Sequence, residues 1–161
     1  MDDNVYQVET DDLSGRFLLF YIGETTYSLP LTHVIEIINI QHITKIPNVP
    51  YYVKGIVNLR GKVVPVSDVR LKFNQPERPY DDKTCIVVVL ISDMNVGLIV
   101  DSVAEVVSIE RTNMAPPPTA GHRGGESYLD SVSQLNGKVI LNIDCDKFFQ
   151  SDLAELFPDS D

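Results

Sequence analysis

The sequence predicts an all-β protein made of two small five-stranded barrels that share a core. Three observations predict it. The apolar runs are strand-sized and rich in β-branched residues, turn-forming residues separate them, and the chain repeats itself once. With 161 residues, 43% hydrophobic and 22% charged, the chain has the composition of an ordinary globular domain. A barrel of roughly 60–70 residues buries little surface alone. The two are therefore expected to pack together, and neither half to fold well by itself.

Arg16–Ile22 (RFLLFYI) reads as a strand, Gly23–Glu24 as a turn, and Thr25–Leu29 (TTYSL) as the returning strand of a hairpin. Leu31, Val34, Ile35 and Ile38 sit at helical spacing, but Val34–Ile40 (VIEIINI) is dense in β-branched residues. The balance predicts one helical turn at Leu31–His33 running into a strand. A second turn is expected at Pro50–Lys54, with proline at its start. Gly61–Lys62 suits a tight reversal before the strand Lys62–Val66, which sets Arg60 beside the turn. Thr84–Ile91 (TCIVVVLI), Ser92–Asn95 and Val96–Val100 (VGLIV) then restate the strand–turn–strand order. Ser151–Phe157 (SDLAELF) starts with a capping residue and has Leu153, Leu156 and Phe157 on one face, which predicts a short terminal helix.

The repeat is explicit. An offset of 69 lays Phe17–Ile38 over Ile86–Val107 without a gap, matching Ile22 to Ile91, Leu29 to Leu98, Val34 to Val103 and Glu36 to Glu105. An offset of 76 lays Asn58–Phe73 over Gln134–Phe149, with Leu59, Gly61, Lys62, Val63, Asp68 and Phe73 meeting identical residues. The seven-residue difference falls in the Pro/Gly-rich stretch Ala115–Glu126 (APPPTAGHRGGE). Closing each sheet into a barrel removes the exposed edges that short antiparallel sheets otherwise leave. Residues 15–150 are thus expected to form a single domain of two halves. Their boundary falls near 74–84, and exchange of strands between the halves is left open. Residues 1–14 form an acidic tail, and 151–161 a short helix with an acidic end.

The formal net charge of −10 resides in the ends. Residues 1–14 hold five acids and no base, residues 144–161 hold six acids and one base, and the body between them balances 12 against 12. No basic stripe for nucleic acid or anionic lipid is present. No run approaches the roughly 20 apolar residues of a membrane-spanning helix. The start lacks the basic region of a secretory signal, so a cytoplasmic protein is expected. Its two cysteines, Cys85 and Cys145, are then expected as reduced residues rather than a disulfide.

Catalysis and cofactor binding find no support. His33, His42 and His122 stand in no metal-ligand spacing, and no Cys-x-x-Cys occurs. Gly121–Gly125 (GHRGG) lacks the preceding strand and following helix of a phosphate cradle. Nothing in the sequence brings Asp81, Asp82 and Glu110 together. No cofactor and no metal are expected.

The segment Ile46–Phe73 (IPNVPYYVKGIVNLRGKVVPVSDVRLKF) resembles the most recognisable part of the CheW family of chemotaxis coupling proteins, whose pattern runs I-P-N-x-P, K-G-V-x-N-L-R-G, I-V-P-V-x-D-L-R-x-x-F. Tyr27–Ile37 (YSLPLTHVIEI) and Val96–Val106 (VGLIVDSVAEV) extend the resemblance, which covers about Phe17 to Phe149. It implies two SH3-like five-stranded barrels and a non-enzymatic adaptor. One surface would bind the CheW-like regulatory domain of the histidine kinase CheA. Another, a groove between the barrels, would take the cytoplasmic tip of a chemoreceptor in a signalling array. Carried over by position, Val34, Glu36, Arg60, Cys85, Gly97, Val103 and Val106 are implied at partner surfaces. Val34 and Val103 match each other in the repeat, so a core role competes for both. The family's loop after the long strands of the second barrel reads roughly I-R-P-A-P-x-F. Here Asn113–Ala120 is NMAPPPTA, with Ala115 and Ala120 in place of an arginine and an aromatic, residues that dominate interface energetics. The alternative reading is a β-barrel module that binds a small molecule or single-stranded nucleic acid. The neutral body and the absence of tryptophan count against nucleic acid.

Overall fold

The computed structural model of the chain describes residues 13–117 and 128–149. Among them, 11 strands form two sheets. In chain order they are β1 (Arg16–Ile22), β2 (Thr25–Pro30), β3 (Val34–Asn39), β4 (Val53–Leu59), β5 (Lys62–Asp68), β6 (Cys85–Ile91), β7 (Met94–Val100), β8 (Ser102–Ser108), β9 (Met114–Ala115), β10 (Leu129–Leu135) and β11 (Lys138–Ile143). One sheet is ordered β3-β6-β7-β5-β4 and forms the middle barrel; the other, β8-β1-β2-β11-β10-β9, forms the end barrel.

Each barrel takes a hairpin from the opposite repeat. The hairpin β1–β2 lies between β8 and β11, while β6–β7 lies between β3 and β5. Within each barrel a parallel pair makes the junction: Val66 opposite Gly97 in the middle barrel, Asn142 opposite Ser28 in the end barrel. These are the same positions under the two offsets. The stretch after β3 returns to β4 through a Thr44–Ile56 bridge, and β9 makes the matching bridge from Ala115 to Val132 on β10.

Strand alternation explains the core. On β6 and β7, Val87, Val89, Ile91, Val96, Leu98 and Val100 face the other sheet. There they meet Leu18, Phe20, Ile22, Tyr27 and Leu29 of the β1–β2 hairpin, which builds a core shared by both barrels. The residues in between, Ile86, Val88 and Ile99, turn inward and fill the middle barrel with Val57, Val64 and Val66. The end barrel's own cluster has only Leu19, Ile109 and Ile140 fully buried.

The 3-10 turn Leu31–His33 is present. Three local features differ from the sequence-based expectations. The β4–β5 reversal is at Arg60–Gly61, one residue earlier, with φ of 52° and 86°. Pro50–Lys54 is an open turn, closed by the Val53 N–H donating to the Pro50 carbonyl at 2.9 Å, and Lys54 already lies in β4. A short helix, α1 (Val69–Lys72), follows β5 with Asp68 as its cap, its carboxylate accepting from the Arg70 N–H at 2.9 Å. The matching residues 145–149 are also helical, under Asp144, whose carboxylate accepts from the Lys147 N–H. The helix expected at Ser151–Phe157 and the loop Gly121–Gly125 lie outside the described residues.

Candidate partner-binding site

The two-residue turn between β4 and β5 needs positive φ at both positions. Gly61 supplies one without cost, and Arg60 is held in the other. The Gly61 N–H donates to Asn58 Oδ1 at 2.9 Å, which fixes the tip. Arg60 therefore stands out from the barrel with 71% of its side chain exposed. Its guanidinium forms an ion pair and hydrogen bond with the Glu36 carboxylate on β3. That contact pushes the already high Arg60 pKa further up.

Glu36 reaches this position because β3 is an edge strand with a bulge. Val34 pairs with Val89 and Glu36 with Val88, leaving Ile35 as the extra residue. Ile35 and Ile37 on either side of Glu36 are exposed large apolar residues. Sequence reasoning did not single them out, because a β-branched run there reads equally well as core. The corner thus joins a carboxylate–guanidinium pair to two isoleucines on the rim of the middle barrel.

The other residues implied by resemblance fall into three groups. Val34 and Cys85 are half-buried against the shared core at opposite ends of the β3–β6 pair. The Cys85 thiol donates to the Lys83 carbonyl at 3.4 Å, and burial raises its pKa. Val103 and Val106 belong to β8, the edge strand of the end barrel; Val103 leans on the shared core and Val106 is exposed. Gly97 has no surface to offer. It is buried inside the middle barrel, where a Cβ would come within 2.8 Å of both Ile86 Cγ2 and Val66 Cγ1. Its place is in the packing that sets β7 against β5.

An anchoring network that the sequence left unread ties down the segment between the repeats. Asp101, between β7 and β8, accepts from the Gly23 N–H at 2.6 Å and from Arg70 Nε at 3.1 Å, and pairs with Arg78 at 3.0 Å. Tyr80 donates to the buried Asp68 carboxylate at 2.7 Å, and burial is the main reason its pKa rises. Lys54 pairs with Glu77 at 2.6 Å. Asp81 caps its own turn, accepting from the Lys83 and Thr84 N–H groups, so it makes no carboxylate pair with Glu110.

A cleft of about 320 Å³ opens at one end of the end barrel, lined in part by Arg111, Asp130, Asn142, Asp144 and Asp146. Asn142 at its floor is already hydrogen-bonded to three serines. The neighbouring Cys145 thiol is pushed up to about 12 by burial and by Asp146 and Asp144, so it stays protonated and unreactive near neutral pH. Among the described residues no group of three His, Cys, Asp or Glu side chains is placed to hold a metal. No helix among them is long and apolar enough to cross a membrane.

Comparison with known proteins decides the family. The family model of the CheW-like domain matches residues 16–153. The chain belongs to the CheW-like family. It is 30% identical to the chemotaxis protein CheW of Klebsiella aerogenes over 92% of this chain and 89% of that one. The Bacillus subtilis chemotaxis protein CheW is 26% identical, over 87% of this chain and 90% of the relative. The crystal structure of the scaffolding protein TtCheW from Thermoanaerobacter tengcongensis superposes with a TM-score of 0.80 at 30% identity, covering 89% of this chain and 98% of that one. Membership in the CheW-like family makes this chain a non-enzymatic scaffold, in keeping with a fold whose polar clusters serve turns, caps and packing.

Proposed function

We propose that this chain is the coupling adaptor of a bacterial chemosensory array, holding the regulatory domain of the histidine kinase CheA on one surface and a chemoreceptor's cytoplasmic tip on another. Its place would be the cytoplasm, recruited to receptor clusters. The observation that carries the reading is the likeness to chemotaxis CheW proteins across nearly the whole length of both chains. The Glu36–Arg60 corner supports it, since an exposed arginine framed by isoleucines has the composition of an interface anchor. Val34, Cys85, Val103 and Val106 would border the contacts, with Gly97 acting from inside the barrel. The mechanism is positional. Receptor and kinase dock on a rigid β body, and a coupling free energy of ~1–3 kcal/mol changes affinities by roughly 5–150-fold without rearranging the adaptor.

The test is Arg60→Glu. Because Arg60 is exposed on a hairpin tip, the variant keeps the wild-type circular dichroism and melting curve. Its receptor-tip association, read by pull-down or calorimetry, falls by roughly tenfold or more, as expected where like charge is set into an interface. Undiminished binding by the Glu variant removes this corner from the receptor surface.

A further inference from the structure

The two edge strands are built alike but finished differently. On β8, Leu18 pairs with Val106 and Phe20 with Val103, so the register slips where it slips on β3. Glu105 is the repeat mate of Glu36. Val107 and Leu135 pack against the end barrel's cluster as Ile38 and Leu59 pack against the middle barrel's. The hairpin tip Asn136–Gly137 copies Arg60–Gly61, with φ of 53° and 80° against 52° and 86°. The difference is one side chain. Asn136 stands where Arg60 stands, and it brings no charge.

The consequence is a carboxylate without a cation. Among the described residues Glu36 has Arg60, whereas Glu105 takes part in no ion pair. Ala104, Glu105 and Val106 are consecutively exposed, while on β3 the matching Glu36 is half-covered by its arginine. A bulged edge is poorly suited to strand addition, so contact at this site runs through side chains. We infer that the Glu105 corner is completed in trans, by an arginine that a partner protein presents beside an aliphatic side chain. Glu105 supplies the charge, Val106 the apolar contact, and the uncharged Asn136 tip leaves the place of the guanidinium open.

This inference rests on the adaptor reading and names the chemistry of one of its contacts. The test adds the missing arginine in cis. Asn136→Arg should be tolerated, because Arg60 holds the same backbone conformation, and it should close the corner on itself. The probes are the purified regulatory domain of the cognate kinase and the cytoplasmic receptor tip. Asn136→Arg and Glu105→Arg should each weaken binding of one of them by roughly tenfold, with unchanged melting curves. In the double variant Asn136→Arg/Glu105→Gln the engineered pair is absent, and it should behave like Glu105→Gln alone. Wild-type binding to both probes with no change in any variant overturns the inference and leaves the adaptor reading intact. A wild-type chain that binds neither probe removes both. An effect confined to self-association of the chain overturns the partner assigned here.

Discussion

The middle and end barrels share one backbone plan and solve their interiors with opposite chemistry. In the middle barrel Val66 lies opposite Gly97, with Val57 near and Gly55 behind. In the end barrel the same four positions hold Asn142, Ser28, Ser133 and Ser131. Asn142 is 1% exposed; its amide donates to Ser131 at 2.9 Å and Ser133 at 2.8 Å, and its carbonyl accepts from Ser28 at 2.5 Å. The pairing register, the bulges and even the Tyr52 and Tyr128 carbonyls that accept from the Asp68 and Asp144 N–H groups are kept in both barrels. What the difference teaches is that register is specified by alternation and turn geometry. The filling of a small barrel can be apolar or polar provided that it is complete. One solution needs a glycine to admit a valine, and the other a serine to satisfy an amide.

The sharpest way to break this comparison is Asn142→Val, which gives the end barrel the middle barrel's residue. Three serine hydroxyls lose their partner at once. Unmet buried polar groups are costly, so the variant should lose about 3 kcal/mol in urea unfolding. A loss below about 1 kcal/mol would mean that the serines re-pair among themselves. Adding Ser28→Gly and Ser131→Gly to it should return part of the loss.

Gly97→Ser tests the opposite case. The new Cβ would sit 2.8 Å from Ile86 and Val66 side-chain atoms, an overpacking that costs ~1–3 kcal/mol. Combined with Val66→Ala, which removes one of the two clashing methyl groups, the loss should shrink; an unchanged loss would place the strain elsewhere.

The smallest effect belongs to the segment joining the repeats, which has no counterpart in the end barrel. Tyr80→Phe removes the hydrogen bond to Asp68 and should cost about 1 kcal/mol at neutral pH. The folded-state pKa of Tyr80 lies above its ordinary value of 10.0, so its contribution is complete below that pH and fades as pH rises past it. Wild type should therefore lose stability above pH 10.0 more steeply than Tyr80→Phe. Parallel alkaline limbs would contradict the assignment.

Much of this was legible before any coordinates. The offsets of 69 and 76 correctly pair Ile22 with Ile91 and Asp68 with Asp144, because hairpin turns and alternating faces leave local marks. The helix α1 was not read, since Val69 and Leu71 continue a strand-like pattern, and only the capping role of Asp68 betrays it. Residues 145–149 escaped for the same reason under Asp144. The placement of β1–β2 against β8 and β11 is a long-range pairing with no local mark at all. Gly97 sat in a motif that resemblance assigned to a partner surface, and a residue without a side chain carries no periodicity to argue otherwise. The Glu36–Arg60 contact joins residues 24 apart in sequence, and neither residue type alone announces the other.

The central claim is that one small β body holds two partners at once, and ternary assembly measures this directly. The chain, the kinase regulatory domain and the receptor tip, mixed at equal concentration, should sediment as a single three-component species, while kinase domain and receptor tip without the chain associate far more weakly. If bound receptor tip displaced the kinase domain, or if the two partners associated equally well without the chain, the account would be contradicted.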